Sequence, residues 1–204
     1  MIISYKRLGK EITQKQAFEL GDFEKIYTIR NGPIKQIEKY FDNRLAVLYY
    51  YLDDNETEEE AKAKLLPSIR SVSIRERESY GTYRVEKHKS YVNHVFKGAT
   101  RHLYNAIGEA ICYEEINMVT NQPDYQYTVK SLGTYDNEDE DIASYCAFYY
   151  HADGTFKTCR YNYFHEYDSD EFDLSTLPWI KDRFQLSDVM YNYYLTAQFL
   201  PPLE

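Results

Sequence analysis

The segment from Ala143 to Phe164 constrains the fold more than any other part of the chain. Ala143-Ser-Tyr-Cys-Ala-Phe-Tyr-Tyr150 and Thr155-Phe-Lys-Thr-Cys-Arg-Tyr-Asn-Tyr-Phe164 are rich in aromatic and apolar side chains, and they flank His151-Ala-Asp-Gly154. Asp-Gly between two such runs marks a β-hairpin, because Gly accepts the positive φ that a tight strand reversal requires. The sequence leaves two registers open. A four-residue loop sets residue 150 against 155 and Cys146 against Cys159, within disulfide reach. A two-residue Asp-Gly loop sets Phe148 against Cys159 instead. In a reducing compartment the three cysteines are expected as thiols, with Cys112 acting as a small core residue.

The rest of the chain reads as short strands separated by turn residues. Glu24–Arg30, Ile34–Phe41 and Arg44–Leu52 form an expected meander, broken at Asn31-Gly32-Pro33 and Asp42-Asn43. Further strands are expected at Ser71–Arg77, Thr82–Glu86, Tyr91–Phe96, Arg101–Tyr104, Glu109–Ile116 and Tyr125–Leu132. Thr13-Gln-Lys-Gln16 is a capping box, and Gly21 closes the short helix behind it. Asn55-Glu-Thr-Glu58 is a second capping signature, stopped by Pro67. Its polar composition predicts a short surface helix. Ser187 caps a C-terminal helix with Val189, Met190, Tyr193, Tyr194 and Ala197 on one face, ended by Pro201-Pro202. The expectation is an α+β fold: a largely antiparallel, Tyr-rich β-sheet with a few short helices and a C-terminal helix. With no linker-like stretch, residues 1–204 read as a single domain. The 23 Tyr fit such a sheet, where a ring can pack while its hydroxyl stays in water.

Three segments share a form, an aromatic pair or residue, a polar turn and an apolar strand with Tyr. They are Tyr40–Tyr51, Leu103–Tyr113 and Tyr149–Tyr161. The pattern resembles the MORN-like hairpin repeats of some bacterial antitoxin and immunity proteins, over about a fifth of the chain. The spacing between copies is irregular, and the first copy has Asn43-Arg44 where the others have Gly. The resemblance implies a partner-binding hairpin protein of bacterial origin and carries over no individual site residue.

Charge narrows the partner class. The chain has a net charge of −9, and residues 103–204 hold 5 basic against 18 acidic side chains, a net of −13. That field repels phosphate backbones and draws cationic surfaces, so nucleic acid is disfavoured outside the basic stretch between Arg70 and Arg101. No apolar run has the length of a membrane-spanning helix. Met1-Ile-Ile-Ser-Tyr-Lys-Arg-Leu-Gly carries charge where a signal peptide needs apolar residues, so a cytoplasmic protein is expected. There is no phosphate-binding Gly-rich loop, nucleophile elbow, His-Glu-x-x-His or paired-cysteine zinc spacing. The acidic runs Asp136–Asp141 and Asp168–Asp173 lack the ligand spacing of a calcium loop. No catalytic residue, metal or cofactor is therefore assigned.

What remains is acid interleaved with aromatics. Tyr135, Asp136, Glu138, Asp139, Glu140 and Asp141 form one candidate binding segment. Tyr163, Glu166, Tyr167, Asp168, Asp170, Glu171 and Asp173 form the other. Carboxylates would steer a basic partner, and tyrosines would supply contact area. The expected function is an acidic cytoplasmic protein that neutralises a basic protein partner, most concretely an immunity protein occluding a nuclease-type bacterial toxin. Two rivals stand beside it: an enzyme whose site is assembled from scattered residues such as His88, His94 or His102 with a carboxylate, and a structural homo-oligomer.

Overall fold

In the computed structural model, residues 1–135, 142–163 and 169–203 are described. The described chain is a mostly antiparallel α+β structure of thirteen strands and four short helices. It divides into two compact units, Met1–Arg77 with Glu86–Ala99, and Glu78–Val85 with Thr100–Glu204. The division falls within strands β6 (Ser71–Tyr80), β7 (Tyr83–Val92) and β8 (Val95–Tyr104), so each unit takes part of each.

The first unit begins with β1 (Ile2–Arg7), β2 (Lys10–Ile12) and α1 (Gln14–Leu20). These are followed by β3 (Phe23–Thr28), β4 (Ile34–Phe41), β5 (Arg44–Tyr51) and α2 (Glu58–Leu65). Strand neighbours run β2-β1-β3-β4-β5-β6-β7-β8. The expected meander is present as β3, β4 and β5, all antiparallel. The sequence reading missed β1 and β2, whose residues alternate poorly. Two-residue turns with positive φ at both positions sit at Leu8-Gly9, Asp42-Asn43 and Asn93-His94. Their backbone twist matches that of the flanking strands. The third turn corrects an expectation: Tyr91–Phe96 is not one strand but the end of β7, a turn and the start of β8. Asn and His tolerate the left-handed conformation, and their apolar flanks made the turn look like alternation.

β5 and β6 pair in parallel, and α2 lies in the connection that such a pair needs. The α2 cap is Thr57, whose hydroxyl accepts from the Glu60 backbone while Glu60 reaches back to Thr57. The expected cap at Asn55 is thus displaced by two residues. Although mostly polar, α2 buries Ala61 and Leu65, which join Leu48 and Tyr50 of β5 and Val72 and Ile74 of β6 in one core. These alternate strand residues all face the helix. α1 has the predicted capping box of Thr13 and Gln16, closed by Gly21 at φ 81°.

The second unit adds β9 (Ala110–Ile116), β10 (Pro123–Tyr135), β11 (Ile142–Tyr150), β12 (Phe156–Tyr163), β13 (Ser169–Phe172), α3 (Leu177–Arg183) and α4 (Asp188–Tyr194). Neighbours run β8-β9-β10-β11-β12-β13, with β13 at the edge. The hairpin of β11 and β12 forms as expected. A register shift at Tyr149/Tyr150 places Phe148 opposite Cys159 and Cys146 opposite Tyr161. Cys146 and Cys159 are therefore diagonal neighbours rather than directly opposed, with their side chains in hydrogen-bonding contact, and all three cysteines are free buried thiols.

Cys146, Phe148, Tyr150, Cys159 and Tyr161 line one face of the hairpin, and Leu177, Ile180, Tyr193 and Tyr194 from the two helices cover it. The C-terminal helix ends at Tyr194, before Ala197, and Val189 is exposed rather than inward. The tyrosines differ from the expectation of wet hydroxyls. Tyr150, Tyr193 and Tyr194 are fully buried, and the first two donate to the carbonyls of Tyr194 and Phe199 at 2.9 Å. A buried hydroxyl must find such an acceptor, and the last residue of α4 and the chain after it supply the two. Lys130 of β10 does similar work: fully buried, its Nζ donates to the carbonyls of Tyr193 at 2.5 Å and Thr196 at 2.7 Å.

Candidate functional site

Of the residues expected to bind a partner, Asp136, Glu138, Asp139, Glu140, Asp141, Glu166, Tyr167 and Asp168 lie outside the described residues. Tyr135 ends β10 opposite Ile142, and Tyr163 ends β12 opposite Ser144. The two strand ends lead into the two acidic segments. Asp170 and Glu171 lie on the edge strand β13, opposite Tyr161 and Arg160, and both are exposed. Glu171 accepts from Arg160 Nε at 2.8 Å, a pair exposed on both sides and therefore worth little to stability.

Asp173 has a local task. Its Oδ1 accepts from the Ser175 amide at 2.9 Å and the Ser175 hydroxyl at 2.5 Å, and the Thr176 hydroxyl lies 3.4 Å away. The Ser175 hydroxyl, with its amide, holds the Asp173 carboxyl below the usual carboxylate range. This turn leads into α3 and sets its direction.

α3 brings in residues that the sequence reading passed over. Leu177 and Ile180 are buried, and Trp179 between them turns outward, 44% exposed. Its indole stacks on Phe172 at a centroid distance of 5.5 Å and an interplanar angle of 20°, with Tyr161 edge-on at 5.3 Å. Phe172, Trp179, Pro178, Ser175 and Thr176 wall an open groove of about 430 Å³, and Leu174 beside Asp173 is 61% exposed. The corner thus joins an aromatic stack, an exposed leucine and the carboxylate of Asp173, with Asp170 on the same face of β13 as Phe172 and Glu171 on the opposite face beside Arg160. The available signal was the chain's single Trp, next to a Pro that fits the first turn of a helix.

The histidines take other positions. His88 is buried in the first unit with Nε2 3.2 Å from Glu86 Oε2, and burial lowers its pKa against the pull of Glu86. Arg77 Nε also donates to Glu86, at 3.1 Å. His94 sits in an exposed turn, and His102, in the second unit, lies edge-on to Tyr113 at 5.1 Å. Among the described residues no group of three His, Cys, Asp or Glu is placed to hold a metal ion, and no helix is long and apolar enough to cross a membrane.

Comparison with protein-family models, with curated proteins and with solved structures found no match to this chain.

Proposed function

We propose that this chain is a binding protein that neutralises a basic protein partner by covering its active surface, in the manner of a cytoplasmic bacterial immunity protein or antitoxin. One observation carries the reading. The Trp179–Phe172 stack, with Trp179 exposed, stands at the turn made by Asp173, and Asp170 shares its face of β13, in the acidic half of the chain. Tryptophan in a partly formed apolar pocket is the side chain most often found at the energetic centre of protein interfaces. Carboxylates around it would steer and orient a cationic partner, with affinity coming from the aromatic centre and rate from the charge. The Tyr-rich sheet gives a rigid base for that corner. A nuclease-type toxin fits as partner, because its cationic substrate-binding surface complements a chain with net −13 over residues 103–204.

The test is kinetic. With a basic partner captured from the native host, association is measured at low salt for the wild type and for a variant with Asp139, Glu140 and Asp141 changed to Lys. The expected result is an association rate lower by about ten-fold or more, converging with the wild type as salt rises. An unchanged rate at low salt removes the electrostatic part of the proposal.

A further inference from the structure

A second feature of the acidic half lies within the second unit. A cavity of about 380 Å³ opens between β8, β9, β10, the β11–β12 turn and the segment after α4. This is within the size range of small-ligand pockets. Its lining residues include Glu114, Asp153, Arg101, Tyr125 and Phe199.

Glu114 is 1% exposed. Its Oε2 accepts from Arg101 Nε at 2.6 Å and also from Arg101 Nη2. Its Oε1 is buried and has no hydrogen-bond partner. A buried carboxylate oxygen without a donor costs free energy, which a ligand N–H would recover where a small shift of Arg101 opens Oε1 to the cavity. Asp153, at the exposed turn, adds a second negative charge, with Oδ1 accepting from the Thr155 amide and hydroxyl. Arg101 displays the chemistry that the walls accept: its guanidinium pairs with Glu114 and lies 4.4 Å from the centroid of the Phe199 ring. Carboxylate and aromatic face together suit a cation with a short carbon body.

We propose that this cavity binds a side-chain-sized organic cation, an alkylguanidinium or alkylammonium group. Glu114 and Asp153 hold the charged head, and Tyr125 and Phe199 cover the carbon chain. The cation can come from a free small molecule or from an Arg or Lys side chain of a protein. The inference goes beyond the neutraliser reading, and its failure leaves the Trp179 corner untouched.

The experiment is an NMR titration of the full-length ¹⁵N-labelled chain with n-butylguanidinium and n-butylammonium, with n-butanol as the uncharged control. Saturable shifts are expected at the amides of Gly154 and Ala197, with affinity for n-butanol weaker by at least ten-fold. Glu114→Gln should weaken cation binding about ten-fold. Asp153→Asn, which keeps the Oδ1 acceptor and disturbs no buried pair, should weaken it several-fold and serves if Glu114→Gln does not fold. A short uncharged peptide with one central Arg then separates the sources. Binding ten-fold tighter than n-butylguanidinium assigns the site to a protein side chain, and equal or weaker binding assigns it to a free cation. No saturable shift, equal binding of n-butanol, or unchanged affinity in the folded variants overturns the proposal.

Discussion

Lys130→Met tests how the C-terminal segment is fixed to the second unit. Lys130 is fully buried, and burial pulls its pKa from 10.5 down to about 7. Its neutral amine still has two hydrogens, matching the carbonyls of Tyr193 and Thr196, and its Nζ lies 3.3 Å from the Tyr193 ring centroid. Met fills similar space and strands both carbonyls, at roughly 1–3 kcal/mol each, offset in part because no amine has to be desolvated. The expected loss at pH 7 is roughly 2–4 kcal/mol.

The pH dependence carries a definite sign. Between about 7 and 10.5 the unfolded chain holds a proton at Lys130 that the folded chain has released, so stability rises with pH across this window. From pH 7 to 8.5 the gain is roughly 1.5–2 kcal/mol. Burial raises Cys112 to about 12, so thiol ionisation of the unfolded chain works the other way from about pH 9, and the comparison stops short of that. The assay is urea unfolding followed by the fluorescence of Trp179, which reports the second unit, at pH 7 and 8.5. The wild type should gain stability and Lys130→Met should not. A variant as stable as the wild type at both pH values, or a wild type that loses stability as pH rises, refutes the reasoning.

Other predictions follow from individual contacts. Thr57→Ala removes the α2 capping box and should lower stability by about 1 kcal/mol, whereas Asn55→Ala should change it by less than about 0.5, as chemical denaturation would resolve. Arg77→Met takes a donor from Glu86, which is 3% exposed, and another from the Ile34 carbonyl, and should cost roughly 3–5 kcal/mol in the same assay.

Much of the fold was legible from residue patterns, and the departures have physical causes. Ile34–Phe41 was readable from the turn residues that bound it, Asn31-Gly32-Pro33 and Asp42-Asn43, and the hairpin around Asp153-Gly154 from its turn and its aromatic flanks. The turn at Asn93-His94 was hidden because neither residue is Gly and both flanks are apolar. α2 read as a surface helix because only Ala61 and Leu65 touch the core, too few to outweigh Glu and Lys in its composition. The parallel pairing of β5 with β6 depends on where α2 returns the chain, which local sequence does not encode. Carboxylate clusters drew the candidate site to Asp170, Glu171 and Asp173, but Trp179 joins Asp173 only through the turn that aims α3, and Glu171 faces away beside Arg160. Lys130 was invisible, since a lysine's burial depends on which carbonyls the tertiary fold brings to it.

The central claim is that the Trp179 corner binds a basic protein. The direct measurement is a pull-down from native host extract with the wild type and Trp179→Ala side by side, eluted by a salt step and identified by mass spectrometry. One stoichiometric basic protein is expected on the wild type, released by salt. Its retention on Trp179→Ala should be sharply reduced, reflecting a loss of about 2 kcal/mol or roughly 30-fold in Kd. No basic protein on the wild type, or equal retention by both chains, would contradict it.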